Sequence, residues 1–200
     1  DPGLDPVRTQ RAARYFLRIA QDTGFGQAVE IAHLEKSLAE VDEAEILHTY
    51  YLKTTRYTIE SPLVLGAMLA GASDEVTTLL ADFAHPLGLA FQIENDLHEV
   101  NLLARGDSEL AYDLQKGVKT LYLKRLHDVL EERERSLLCS FLAGQATVAQ
   151  KKRLWCLLED REIREHMCDE ITRAFNTADK LLAEARINAT QRKGLSRMIA

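Results

Sequence analysis

Little in this chain can cross-link it, interrupt it or carry it through a bilayer. Cysteine occurs three times, at Cys139, Cys156 and Cys168, with no CxxC pair. That odd number at wide spacing argues against a disulfide framework or a zinc ribbon and points to free thiols. Proline occurs four times, at Pro2, Pro6, Pro62 and Pro86, which leaves long stretches where a helix loses no backbone donor. Few segments alternate polar and apolar residues as a half-buried strand requires. The longest apolar run, 63–72, is too short for a bilayer-spanning helix, which needs roughly 20 residues, and the amino end carries no signal-peptide pattern. A soluble, cytoplasmic protein is expected. Basic surplus is also missing: the net charge is −6, with 25 Lys and Arg against 31 Asp and Glu. The cations are interspersed with acids, which disfavours nucleic acid as a partner.

What is abundant is helix-forming sequence. Runs of Ala, Leu, Glu, Lys and Arg repeat with a helical period, and 200 residues suffice for one domain with a substantial core. The expected architecture is an all-α antiparallel helical bundle, a single domain with a ligand cavity between facing helices. Helices are predicted from Pro6 to about Leu38 with a break near Gly24-Phe25-Gly26, and from Glu43 to about Gly71. The next runs from 74 to about Leu103, kinked at Pro86, followed by helices over 120–142 and from Thr147 to about Ala189.

Chemistry gathers in three places. In Phe91-Gln92-Ile93-Glu94-Asn95-Asp96-Leu97-His98-Glu99, a helical period sets Gln92, Asn95, Asp96 and Glu99 in one arc beside an apolar stripe of Leu89, Ile93, Leu97 and Val100. Such a helix lines a wet cavity next to a core, and an all-oxygen donor set suits Mg²⁺ rather than zinc. Upstream, α-helical geometry gathers Tyr50, Lys53, Thr54, Tyr57 and Ser61 on one side, a set of donors suited to phosphate. Downstream, Asp113, Lys116, Gly117 and Lys119 follow a loop. Cation-binding acids flanked by lysines describe a metal-bridged diphosphate site.

In these segments the chain resembles the trans-isoprenyl diphosphate synthases, or polyprenyl synthetases. The likeness runs from about Arg11 to Leu123, through Gly26-Gln27-Ala28-Val29-Glu30, then Lys53-Thr54 with Tyr57 and Pro62, then Gly88-Leu89-Ala90-Phe91-Gln92-Ile93, and Asp113-Leu114 ahead of Gly117 and Thr120. The resemblance implies an isoprenoid-synthase fold and prenyl transfer. An allylic prenyl diphosphate ionises with the help of Mg²⁺, isopentenyl diphosphate attacks the cation, and a longer geranylgeranyl-type diphosphate forms. By the same resemblance Lys53 binds diphosphate, Thr54 and Tyr57 face the reacting carbon, and Gln92 steadies the cation. Asn95, Asp96 and Glu99 with Asp113 form the metal set, Gln27 and Glu30 line the allylic side, and Lys116 or Lys119 reaches the diphosphate. A homodimer is implied, or a heteromer with a catalytic synthase.

Departures from the family pattern are equally specific. Asn95 and Glu99 stand where the family carries aspartates, Val118 where it carries a lysine, and Asp107-Ser108-Glu109 where it carries Gly-Lys. Nothing resembles the family's first aspartate-rich motif, so the chain is expected to lack the N-terminal helices of the fold. Two further readings stay open: a non-catalytic subunit or diverged homologue, and a class I terpene cyclase, for which Asn95-Asp96 fits the start of the metal motif but Glu99 and Leu103 do not fit its continuation.

Overall fold

Asp5 starts the first helix by accepting hydrogen bonds from the backbone N–H of Val7 (2.8 Å) and Arg8 (3.0 Å), the satisfaction that free amides at a helix start require. In this computed structural model, which describes residues 5–104, 112–159, 161–185 and 187–198, α1 then runs unbroken over Pro6–Leu34. The break expected at Gly24-Phe25-Gly26 does not occur. Gly26 serves packing instead: a Cβ there would lie 2.9 Å from both Leu52 Cβ and Lys53 N.

The remaining helices are α2 (Glu43–Tyr50), α3 (Ser61–Ala70), α4 (Asp74–Ala104), α5 (Tyr112–Lys116), α6 (Leu121–Val129), α7 (Glu132–Leu142), α8 (Val148–Leu158), α9 (Arg161–Glu184) and α10 (Ala189–Ser196). Between α2 and α3 the chain stays helical over Tyr51–Glu60 but widens to π geometry, with Ser61 N–H donating to Arg56 O. Every regular element among the described residues is helical, so the all-α expectation holds. None of those helices is long and apolar enough to cross a membrane.

Two predicted helices are each divided, and side chains explain the divisions. The run over 120–142 breaks at Leu130 and Glu131, both extended. Arg135 of α7 donates to His127 O (3.1 Å) and Leu130 O (2.9 Å), satisfying carbonyls at the end of α6. The run from Thr147 ends first at Leu158, whose carbonyl accepts from the buried Tyr122 hydroxyl at 2.6 Å. Later, α9 stops at Glu184, where Arg192 donates to Leu182 O and Ala185 O. A reciprocal Asn188–Gln191 capping box then starts α10. By contrast α4 continues through Pro86.

The chain packs as two units, one of Asp1–Gln27, Tyr50–Phe91 and Ile171–Ala200, the other of Ala28–Thr49 and Gln92–Glu170. In the first, Phe83, Leu87, Ala178 and Leu182 form a buried cluster with Ile59, Leu63 and Phe175 packed against it. Each large apolar side chain so buried contributes roughly 2 kcal/mol. The second unit buries Ile93 and Val100 of α4 with Leu121, Tyr122, Leu123 and Leu126 of α6. Its polar tie is Arg125, paired with Glu43 of α2 and Glu170 of α9, each at 2.6 Å.

Candidate functional site

Alternation around α4 places the acids. Ile93 and Val100 are fully buried, and the adjoining arc of Gln92, Asn95, Asp96, His98 and Glu99 lines a cavity of about 250 Å³ in the second unit, together with Asp113, Leu114 and Thr120. The sequence-derived acidic arc thus converges with Asp113. Exposure differs along it: Asn95 is exposed, Gln92 and Glu99 are half-buried, and Asp96 is only 4% exposed.

Both acids of the α4 arc meet helix starts. Glu99 Oε1 accepts from Asp113 N (3.1 Å) and Oε2 from Leu114 N (3.0 Å), in the first turn of α5. Asp96 Oδ2 accepts from Tyr122 N (3.4 Å), while the next amide, Leu123 N, is taken by the Thr120 hydroxyl (3.3 Å) at the N-cap of α6. Burial pushes the Glu99 carboxyl above its usual range, with the two amides opposing that rise and the Asp113 charge adding to it.

The downstream lysines lie apart from this cavity lining. Gly117 turns the chain with φ 74°, and a Cβ there would sit 2.9 Å from Leu142 O, so the glycine is needed both for the turn and for space. Lys119, 8% exposed, donates to Gly117 O (2.8 Å) and Leu34 O (3.5 Å). It lines a separate cavity of about 260 Å³ with residues of 34–38, Cys139, Leu142 and Ala143. Desolvation lowers its ammonium pKa. Lys116 is exposed and Val118 buried. The Asp107-Ser108-Glu109 departure lies outside the described residues.

In the first unit the π segment carries Lys53 and Thr54, both half-buried, and Tyr57, which is 56% exposed. The single face expected from α geometry is not formed, because Tyr50 and Ser61 are buried and the i→i+5 bonding rotates successive residues by less per step. Two glycines make room for this wider helix: Gly26 of α1, and Gly88 of α4, where a Cβ would overlap the Thr55 side chain. A polar network unseen in the sequence holds it. Glu60, 3% exposed, accepts from Tyr15 OH (2.6 Å), Tyr51 OH (3.4 Å) and Arg56 (3.4 Å), and Arg56 also pairs with Asp22. The i,i+4 spacing of Arg56 and Glu60 was a signal for one of these pairs; the others join distant elements. On α1, Gln27 is exposed and Glu30 half-buried.

Among the described residues no group of three or more His, Cys, Asp or Glu side chains is placed to hold a metal ion. The oxygen donors of Asn95, Asp96 and Asp113 line one cavity and fit a hard cation such as Mg²⁺, which keeps several waters and takes one or two carboxylates.

All-helical throughout its described residues, the chain shares its fold with solved isoprenyl diphosphate synthases. It superposes with TM-score 0.81 on geranylgeranyl pyrophosphate synthase from Corynebacterium glutamicum, solved in complex with isoprenyl diphosphate and magnesium, at 21% identity over 98% of this chain and 56% of that one. A decaprenyl diphosphate synthase from Rhodobacter capsulatus gives TM-score 0.77 at 20% identity, covering 95% of this chain and 58% of that one. These likenesses establish the shared fold. The chain belongs to the polyprenyl synthetase family, whose model matches residues 4–158. In sequence it is 28% identical to geranylgeranyl diphosphate synthase of Sulfolobus acidocaldarius over 187 residues, 92% of this chain and 53% of that protein. It is 33% identical over 99 residues to the large subunit 1 of a heterodimeric chloroplastic geranylgeranyl pyrophosphate synthase of Arabidopsis thaliana, covering 48% of this chain and 26% of that protein. The chain spans about half the length of the Sulfolobus relative.

Proposed function

We propose that this chain serves trans-prenyl transfer, in which an allylic prenyl diphosphate condenses with isopentenyl diphosphate to give a longer, geranylgeranyl-type polyprenyl diphosphate. The observation that carries the reading is the convergence of Gln92, Asn95, Asp96 and Asp113 on one cavity in a chain of the polyprenyl synthetase family. Asn95, Asp96 and Asp113 would hold Mg²⁺, which when bound supplies positive charge against a leaving diphosphate. The side chains do the rest. Lys53 binds diphosphate oxygens, and Lys116, exposed at the end of α5, offers a second ammonium. The Gln92 amide presents its oxygen to positive charge developing on the prenyl chain, with Thr54 and Tyr57 beside the reacting carbon. Gln27 and Glu30 orient the allylic substrate. Groups aimed at charge that develops in the transition state accelerate the step more than groups that bind substrate alone. The assembly proposed is a homodimer or a heteromer with a catalytic synthase.

The test is a product assay with Mg²⁺, labelled isopentenyl diphosphate and allylic diphosphates of increasing length, for the protein and for Lys53→Ala. Elongated product that falls by about 100-fold in the variant supports the assignment; an unchanged rate removes Lys53 from the site. A second reading, a non-catalytic subunit or diverged homologue, is favoured by the engagement of both Glu99 oxygens with backbone amides and by the buried Val118 at the family's lysine position. Absence of product from folded protein that still binds diphosphate, with recovery of a prenyl synthase in pull-down, would select that reading.

A further inference from the structure

Glutamate at position 99 is one methylene longer than the aspartate that the family pattern carries there, and the structure shows where that length goes. The side chain leaves α4 and crosses to α5, where one oxygen meets Asp113 N at 3.1 Å and the other Leu114 N at 3.0 Å. These are the second and third residues of α5 (Tyr112–Lys116), whose amides have no partner within the helix. Helix caps normally come from the residue just before the helix; here a carboxylate from another helix supplies two acceptors at once. Asp113, one of the two residues so bonded, lines the same cavity as Glu99 and Leu114.

We infer that Glu99 is a positioning residue rather than a cation ligand: it clamps the first turn of α5 to α4 and thereby fixes Asp113 on the cavity wall. An aspartate carboxylate stops about 1.5 Å short of this reach, so substitution by the family's residue breaks the clamp while preserving the charge. The inference concerns the cavity of the proposed function, yet its test separates the two.

Amide hydrogen exchange resolved to single residues is measured for the chain and for Glu99→Asp and Glu99→Gln, with Mn²⁺ titration followed by electron paramagnetic resonance as a second readout. In Glu99→Asp the amides of Asp113 and Leu114 exchange at least about tenfold faster, while Tyr122 N–H, held by Asp96, keeps its protection. Mn²⁺ affinity falls in each variant only in step with the faster exchange at 113 and 114, because Asp113 is then no longer held. Unchanged exchange at 113 and 114 in both variants would overturn the clamp, as would acceleration spread equally to Tyr122, which reports general loosening. A tenfold or greater loss of Mn²⁺ affinity in Glu99→Gln with exchange at 113 and 114 unchanged would make Glu99 a ligand and also overturn the inference. If the unaltered chain binds no Mn²⁺, the metal-bridged reading of the cavity fails, and the exchange rates alone decide the clamp.

Discussion

Gly88 shows how much a single missing side chain permits. It is buried on α4, and a Cβ there would overlap Oγ1 and Cγ2 of Thr55 on the π segment. Gly88→Ala is therefore expected to lose about 1–3 kcal/mol by overpacking, measured as a lower urea midpoint at constant slope. Thr55→Ala removes the two nearest atoms, so the double variant should recover part of the loss. Strict additivity of the two single changes would show that the contact is not the cause. In the sequence Gly88 could be read only as part of a family-like run, because the constraint comes from a residue on another element. Glu99 was legible only in part: its acidity and helical phase placed it on the cavity lining, whereas the amides it accepts from belong to α5 and left no local signal. Asp96 and Asp113, whose place on the cavity follows from phase and from the Gly117 turn, were legible.

At the scale of elements, helical period was enough to recover α1, α4 and the all-α class, since 3.6-residue repeats mark which face is buried. It could not locate the divisions after α6 and α8, which have no glycine or proline to signal them. Those ends are made by Arg135 and Tyr122 reaching carbonyls across the packing. Nor could it find the π segment, whose wider turn depends on Gly26 and Gly88 conceding space. The same dependence on partners applies to Arg125, which joins α6 to Glu43 of α2 and Glu170 of α9. The pairs are half-buried, and neighbouring carboxylates raise the guanidinium pKa against the desolvation that lowers it. Arg125→Met keeps much of the side chain's apolar contact but leaves Glu170, the less exposed acid, without its cation. A loss of about 2 kcal/mol is expected, read from chemical denaturation. Glu43→Gln should lose less than half as much, because that carboxylate retains more water; equal losses would contradict this ordering.

For the molecule as a whole, the order of four motifs carried the family assignment, and composition disfavoured nucleic acid but could not identify the ligand. A chain of net charge −6, with Asp96, Glu99 and Asp113 around one cavity, repels free pyrophosphate over distances up to the screening length, about 8 Å in physiological salt. A divalent cation reverses the sign of that interaction, because it meets carboxylate and phosphate oxygens together. Pyrophosphate alone should accordingly leave the melting temperature unchanged at constant ionic strength. Pyrophosphate with Mg²⁺, at about 100 times its dissociation constant, should stabilise the fold by about 2.7 kcal/mol, roughly 5–10 °C in a chain of this size. Asp96→Asn should abolish most of this increment relative to its own unliganded melting temperature, which corrects for any loss at the start of α6. Stabilisation by pyrophosphate without the metal would instead assign the diphosphate to lysines such as Lys53 or Lys116, and the acidic arc would then have no part in binding it.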